Sequence, residues 1–292
     1  MYDEYRKAGE ITKVVKKEVK PLLKEGTKVL DIAEFVENRI KSLGGELAFP
    51  CNISINEIAA HYSPPIYDET VLHNGDYVKV DMGAHINGYI ADTAFTVKID
   101  KEKDDMIKAS EEALENAISM IKAGVNTSDI GAKIEETIKS YGFRPIENLN
   151  GHRLAQNTLH ADITIPNIAT DEGYILKDGE VFAIEPFSTN GAGRVIDEDK
   201  VFIFKYLMNK PIRLGLARKV LADIRRNYPD LPFAERWLSK KFPGRKLDFA
   251  LKTLMRNGII YNYNVLRDEK RGYITQKEHT VIIRKDGCEV TT

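Results

Sequence analysis

Apolar residues recur at helical spacing in four stretches of the chain, and the four fall into two matching pairs. Between Asp3 and Lys20 the stripe is Ala8, Ile11, Val15 and Val19, closed by Pro21, whose ring does not extend a helix. After Gly26 a second amphipathic stretch carries Ile32, Val36, Ile40 and Leu43 on one face, and Gly44-Gly45 stops it. Asp104 to Lys122 predicts a third helix with Ile107, Leu114, Ile118 and Ile121 inward. A fourth runs from about Asp129 to Tyr141 and stops at Gly142. At a constant offset of 98, Gly26, Asp31, Ile32, Glu37, Ile40, Lys41, Ser42 and Gly44 match Gly124, Asp129, Ile130, Glu135, Ile138, Lys139, Ser140 and Gly142. Periodicity accounts for the isoleucines but not for the glycines, the aspartates or the Ile-Lys-Ser triplet. The chain therefore reads as a duplication, each half being two helices followed by a curved set of antiparallel strands.

Strand-like sequence follows each helix pair. Tyr77–Met82 and Tyr89–Val97 flank Asn87-Gly88, a strong hairpin signal. With Ile86 opposite Tyr89, Asp81 lies across from Ala94 and Asp92 is its diagonal neighbour on the same face. Two carboxylates on one face of a buried hairpin repel unless a cation lies between them; a solvated hairpin with scattered acids is the plainer alternative. The stretch Leu72–Asp81 has a counterpart in Leu176–Glu185: a leucine, two polar residues, a turn glycine, an acid, an apolar run and a second acid. Asp81 and Glu185 read as the two halves of one metal site. The strand partner for the Glu185 run is Ile274–Arg284, where Glu278 takes the place that Asp92 holds in the first copy. What lies between is an insertion, with helical stretches near Ile212–Arg226, Pro232–Phe242 and Lys246–Arg256 and a short strand at Ile259–Val265. Helices followed by strands resemble a winged-helix element.

Composition narrows the class. A 292-residue chain with 42% hydrophobic and 30% charged residues is ordinary for a soluble globular protein. No apolar run approaches the length of a membrane span, and the charged N-terminus lacks the core of a signal peptide. Cys51 and Cys288 are too few for a disulfide framework or a thiolate cluster, so a cytoplasmic location is expected. The net charge of -1 hides an asymmetry: residues 205–270 hold 16 Lys and Arg against 6 Asp and Glu, and the remainder 27 against 38. This basic island is either a surface-covering subdomain, the favoured reading, or a contact for nucleic acid or the ribosome.

Three histidines complete the chemistry. His61 and His160 sit 99 residues apart, in nearly equivalent places upstream of the two acidic strands, as expected for two flanks of one cleft. His152 has no counterpart in the first half. The proposed ligand set is Asp81, Asp92, His152, Glu185 and Glu278, whose four negative charges balance two divalent cations. Oxygen-rich coordination with one imidazole suits manganese, iron(II), cobalt or zinc. Two such ions can share a water, lower its pKa and hold it for attack on a carbonyl, so amide hydrolysis is the natural reaction.

The motifs Ala60-His61-Tyr62, Asp81 with Asp92, Gly151-His152, Leu159-His160-Ala161, Ala183-Ile184-Glu185-Pro186-Phe187 and Glu278-His279-Thr280 resemble those of methionine aminopeptidases of type 2 over nearly the whole chain. The helical insertion distinguishes type 2 from type 1, and the missing charged N-terminal extension resembles the archaeal form. The resemblance implies an α+β pita-bread (creatinase/aminopeptidase) fold with an internal pseudo-twofold repeat. Its catalytic part would span 1–204 and 271–292, in halves of about 1–100 and 101–204 plus 271–292, with a winged-helix-like helical insertion at 205–270. It also implies a monomer that removes the initiator methionine from nascent polypeptides ahead of a small second residue, using two divalent metal ions. Asp81 would bind one metal through both oxygens, Asp92 and Glu278 would bridge, and His152 and Glu185 would complete the other. A bridging hydroxide would attack the scissile carbonyl, with Glu185 accepting and returning its proton. His160 would contact the carbonyl or oxyanion and His61 the scissile amide, while Phe49 and Leu159 would line the methionine pocket. Ribosome contact through the basic insertion is the further partner this reading admits. Lys277 departs from the family pattern, where an apolar residue is more common; strand alternation points it away from Glu278. The rival readings are an Xaa-Pro aminopeptidase or prolidase, and an inactive pita-bread protein that binds protein or RNA.

Overall fold

Why the two halves match is visible in their backbone bonds. In a computed structural model describing residues 1–100 and 104–292, helices α1 (Tyr2–Val19) and α2 (Val29–Ser42) open the first half, and α3 (Asp105–Met120) and α4 (Thr127–Ser140) open the second. Of the predicted stripes, Val15, Val19, Ile32, Val36 and Ile40 are buried in one core and Leu114 and Ile121 in the other, where Ile130, Ile134 and Ile138 of α4 join them; Ile11, Leu43, Ile107 and Ile118 are half-buried. Gly26 donates to the Leu72 carbonyl and Gly124 to that of Leu176, both at 2.8 Å. Their φ angles of +80° and +90° lie in the left-handed region that favours glycine. Lower in each copy, Gly75 donates to Ile99 at 3.1 Å and Gly179 to Ile283 at 2.9 Å. The first acid of each repeated stretch also makes the same local bond, Asp76 accepting from the His73 N–H and Glu180 from that of Lys177. The repeat thus preserves a docking of each helix pair onto its sheet.

Among the described residues the strands form four antiparallel sheets. Tyr77–Ile86 pairs along its length with Tyr89–Lys98, while Asn52–Ile55 and Glu46–Leu47 share its other edge. The second half centres on a five-stranded sheet ordered Gly287–Val290, His279–Arg284, Val181–Ile184, Asn150–Leu154, Thr164–Pro166. A three-stranded sheet, Ile274–Gln276, Phe187–Thr189 and Arg144–Pro145, continues two of those strands beyond a break at Glu185-Pro186 and Lys277-Glu278.

The inserted helices α5 (Gly215–Asn227), α6 (Glu235–Ser239) and α7 (Arg245–Arg256) bury a core of their own that includes Val220, Ile224, Phe233, Leu247 and Leu254. Two long strands carry them, Val195–Tyr206 leading out and Ile260–Asp268 leading back, paired from Val195↔Asp268 to Tyr206↔Ile260. The strand pair therefore brackets the helices instead of following them. Its return strand also pairs with Ile58–Ala60, joining the insertion to the first half. A buried ion pair fastens the other side. Arg236 reaches both carboxylate oxygens of Glu37 on α2 at 2.8 and 2.9 Å, and the Trp237 indole N–H donates to the same group. Bidentate geometry and extra donors are what allow such a pair to lie out of water.

Candidate metal centre

All five predicted ligands line one cleft of about 270 Å³, together with His61, His160, Phe49 and Leu159. The hairpin register is the one expected from the Asn87-Gly88 turn: Asp81 lies across from Ala94, and Asp92 pairs with Gly83, two positions along the same face. In the second half the ladder runs to Ile184↔His279 and resumes at Phe187↔Gln276. Glu185 and Glu278 thus face each other across the break, which corrects the expectation that Glu278 repeats the diagonal place of Asp92. Lys277 N–H donates to the Pro186 carbonyl at 3.2 Å, but Pro186 has no N–H to return, and the Glu278 N–H donates to the Ala94 carbonyl of the first half at 2.9 Å. His152 rides on Asn150–Leu154 and pairs with Ala183. Gly151 precedes it because a Cβ there would lie 2.5 Å from the Ala183 carbonyl oxygen.

These positions bring the side chains together. His152 Nε2 stands 3.6 Å from Asp92 Oδ2 and 3.6 Å from Glu185 Oε1. Asp92, His152 and Glu278 offer ligand atoms within 4.8 Å of one another, all three buried. Asn52 donates to Asp81 Oδ2 at 3.0 Å and Gln276 to Glu185 Oε2 at 3.4 Å, so each half supplies an amide that orients one carboxylate. Asp81 Oδ1, Asp92 Oδ1 and His152 Nδ1 are buried without a hydrogen-bond partner.

Burial dominates the electrostatics. Desolvation pushes Asp81 up to about 7. Asp92, Glu185 and Glu278 are also raised, first by desolvation and then by the charge of neighbouring carboxylates. His152 is pushed down to about 4, again by burial, so its imidazole is neutral and able to ligate. Orphaned buried oxygens, crowded carboxylates and a neutral imidazole aimed at two of them fit a divalent metal site, where the ion's charge removes the repulsion.

Above the acids stand the other two histidines. The ring of His160 lies 4.4 Å from that of His152, and Tyr263 lies 5.3 Å from His61 and 6.2 Å from His160, between centroids. His61 Nδ1 lies 2.9 Å from the Asn264 carbonyl, an acceptor, which assigns the proton to Nδ1 and leaves Nε2 free to accept. Phe49 and Leu159 belong to one apolar cluster with Ile90, Leu154 and Ala183. Lys277 points away from the cleft, as alternation predicts, and its ammonium pairs with Glu111 on α3 at 2.7 Å. Sequence reasoning missed Asn52, Gln276, Gly83, Tyr261 and Tyr263. Only Gln276 carried a signal, its place beside Lys277-Glu278.

A duplicated α+β scaffold whose halves close on a buried carboxylate–imidazole centre defines a metal-dependent hydrolase of the pita-bread class. The profile of metallopeptidase family M24 matches residues 3–205, and the chain belongs to that family. The methionine aminopeptidase of Thermococcus onnurineus (strain NA1) is 56% identical over 287 residues, covering 98% of this chain and 97% of that protein. Among solved structures, a thermophilic Arx1 superposes with a TM-score of 0.86 at 20% identity, covering 99% of this chain and 89% of that one. The methionine aminopeptidase of Thermotoga maritima does so with a TM-score of 0.73 at 24% identity, covering 99% and 95%. At such identities these structures speak for the fold alone. Among the described residues no helix is long and apolar enough to cross a membrane.

Proposed function

We propose that the chain is a metal-dependent aminopeptidase that removes the N-terminal methionine from nascent proteins and peptides, preferring a small second residue. The observation that carries this reading is one cleft shared by Asp81, Asp92, His152, Glu185 and Glu278 and bordered by Phe49 and Leu159. The near-full-length similarity to curated methionine aminopeptidases supports it. The five residues would hold two divalent ions of manganese, iron(II), cobalt or zinc, four carboxylates matching their charge. When bound, such ions acidify water and polarise a carbonyl.

The chain's own groups do the rest. Glu185, its Oε2 oriented by Gln276 and its pKa raised by burial, accepts a proton from the attacking water and returns it to the leaving amine. His61, with its proton committed to the Asn264 carbonyl, presents Nε2 to the scissile amide N–H. His160 lies beside the His152 ring and donates to the carbonyl oxygen as charge develops on it. The acids attract the free α-amine, which favours chain ends over internal peptide bonds. The reading extends to a cytoplasmic monomer whose catalytic part spans 1–204 and 271–292, with the basic insertion at 205–270 available to the ribosome.

Incubation of the metal-loaded protein with Met-Ala-Ser and with an Xaa-Pro series in parallel tests the assignment. Release of methionine from Met-Ala-Ser is expected, and preferential cleavage of the Xaa-Pro peptides would overturn it.

A further inference from the structure

The floor of the cleft is buried and part of its rim is exposed. Asp92, His152 and Glu278 are buried, as are Phe49, Leu159 and Phe187. Among the described residues that line the cleft, only His160 and Tyr261 are exposed. These two side chains mark where the cleft opens most to solvent, the side on which a polypeptide with its N-terminus on the acids would leave.

Tyr261 and Tyr263 alternate along the return strand Ile260–Asp268, two residues apart and so on one face. Their rings meet edge to face with centroids 5.1 Å apart. Tyr263 in turn lies 6.2 Å from His160, and its hydroxyl is pushed up to about 12 by burial, whereas Tyr261 is 52% exposed. The aromatic row thus starts beside the reacting groups and ends in solvent. Its two steps cover about three residues of extended chain at roughly 3.3–3.6 Å each. An exposed ring at this distance is a platform for a side chain beyond the second residue.

We infer that Tyr261 forms a substrate subsite for the third residue of the polypeptide, favouring an apolar or aromatic side chain there. This rests on the aminopeptidase reading. It assigns the insertion a part in substrate selection, because its return strand supplies the ring. The contact is a binding one, made outside the reacting atoms, and needs the ring and not the hydroxyl.

The test compares kcat/KM for Met-Ala, Met-Ala-Ser and Met-Ala-Phe with the metal-loaded parent, Tyr261→Ala and Tyr261→Phe. In Tyr261→Ala the ratio of Met-Ala-Phe to Met-Ala is expected to fall about three- to tenfold, the range for one aromatic pair. Tyr261→Phe should keep the parent ratio. Calorimetric binding of a Met-Ala-Phe analogue with its scissile amide reduced to a methylene-amine should weaken by the same factor in Tyr261→Ala alone. An unchanged ratio, or an equal loss on Met-Ala and Met-Ala-Phe, would overturn the inference; the second outcome would mean that Tyr261 only props Tyr263. Failure of the parent to cleave any of the three peptides would instead overturn the aminopeptidase reading.

Discussion

Adding one methyl group at Gly83 tests whether Phe49 is the wall of the methionine pocket. Gly83 pairs with Asp92 across the hairpin, and on that same face it lies under the Phe49 ring. A Cβ there would sit 2.3 Å from Phe49 Cε1, 2.8 Å from Cδ1 and 3.0 Å from the Ala48 Cβ. Carbon atoms rest at about 3.5–4.0 Å, so the ring must retreat by roughly 1 Å or more. Its backbone has little freedom to follow, because the Ala48 N–H is bonded to the Gly83 carbonyl at 3.1 Å. The ring then crowds Ile90, Leu154 and Leu159 or intrudes into the cleft. Overpacking of this kind costs about 1–3 kcal/mol, and for a chain of this size each kcal/mol lowers Tm by about 2–4 °C. A pocket misfit of one methylene changes kcat/KM by about 10–200-fold. Gly83→Ala should therefore lower kcat/KM on Met-Ala-Ser by about tenfold or more while penalising an N-terminal 2-aminobutyryl peptide less. Steady-state kinetics on both peptides, with metal content and Tm measured alongside, read this out. Parent-like kinetics and Tm would refute the reasoning, since the ring would then be free to move without consequence; equal losses on both peptides with metal missing would place the damage at Asp92 instead.

Glu37→Ala strands a guanidinium that is 2% exposed and should cost about 3–5 kcal/mol in denaturant melts, most of it recovered when Arg236→Met is added; a single variant within about 1 kcal/mol of the parent would remove the pair as the insertion's anchor. The pH dependence of the metal-free protein follows from the raised carboxyls. The folded state keeps protons that the unfolded chain gives up above the usual carboxyl pKa of 3.8 for Asp and 4.5 for Glu, so these groups' stability contribution is present in acid and lost as pH rises through about 7 for Asp81. His152, pushed down to about 4 from 6.5, acts in the opposite sense between those values, so the net fall is clearest above pH 6.5. A divalent cation should accordingly raise Tm more at pH 8 than at pH 5 in melts with and without chelator, and a pH-independent gain would take the carboxylates out of the ligand set.

The features legible in the sequence depend on repetition or on near neighbours. Gly26 and Gly124, or Asp76 and Glu180, stand out because the same local bond is made twice. The register that puts Asp81 and Asp92 on one face follows from a two-residue turn at Asn87-Gly88. What escaped depends on contacts between distant segments. Asn52 reaches Asp81 from a neighbouring strand, and Tyr263 reaches the cleft only because a long hairpin folds back against Ile58–Ala60. The direct opposition of Glu185 and Glu278 was also out of reach, because a proline break in a ladder shows its consequence only once both strands are placed.

Hydrogen bonds between the halves keep the four carboxylates together. A pair of charges 4 Å apart repels by about 4 kcal/mol at an effective dielectric of 20, which would favour opening of the seam between the halves. The seam is held by threonine hydroxyls bonded to the backbone of the opposite half. Asp92 N–H donates to the Thr280 hydroxyl and that hydroxyl to the Asp92 carbonyl, both at 2.8 Å, while the Thr93 hydroxyl donates to the Glu278 carbonyl at 2.8 Å. Thr96 repeats the exchange with the N–H and carbonyl of Gln276, each at 2.8 Å. With the Glu278–Ala94 bond these form a row of contacts, each worth about 0.5–1.5 kcal/mol, on both sides of the acids. Their sum is of the same order as the repulsion of one such pair, whereas four ionised carboxylates make six pairs, so the metal-free centre escapes most of the repulsion by holding protons. A cation reverses the sign of the carboxylate term and leaves every backbone contact in place. Metal binding in this fold is therefore expected to stabilise a seam already formed, and to tighten the approach of Asp92 to Glu278 without moving the strands that carry them.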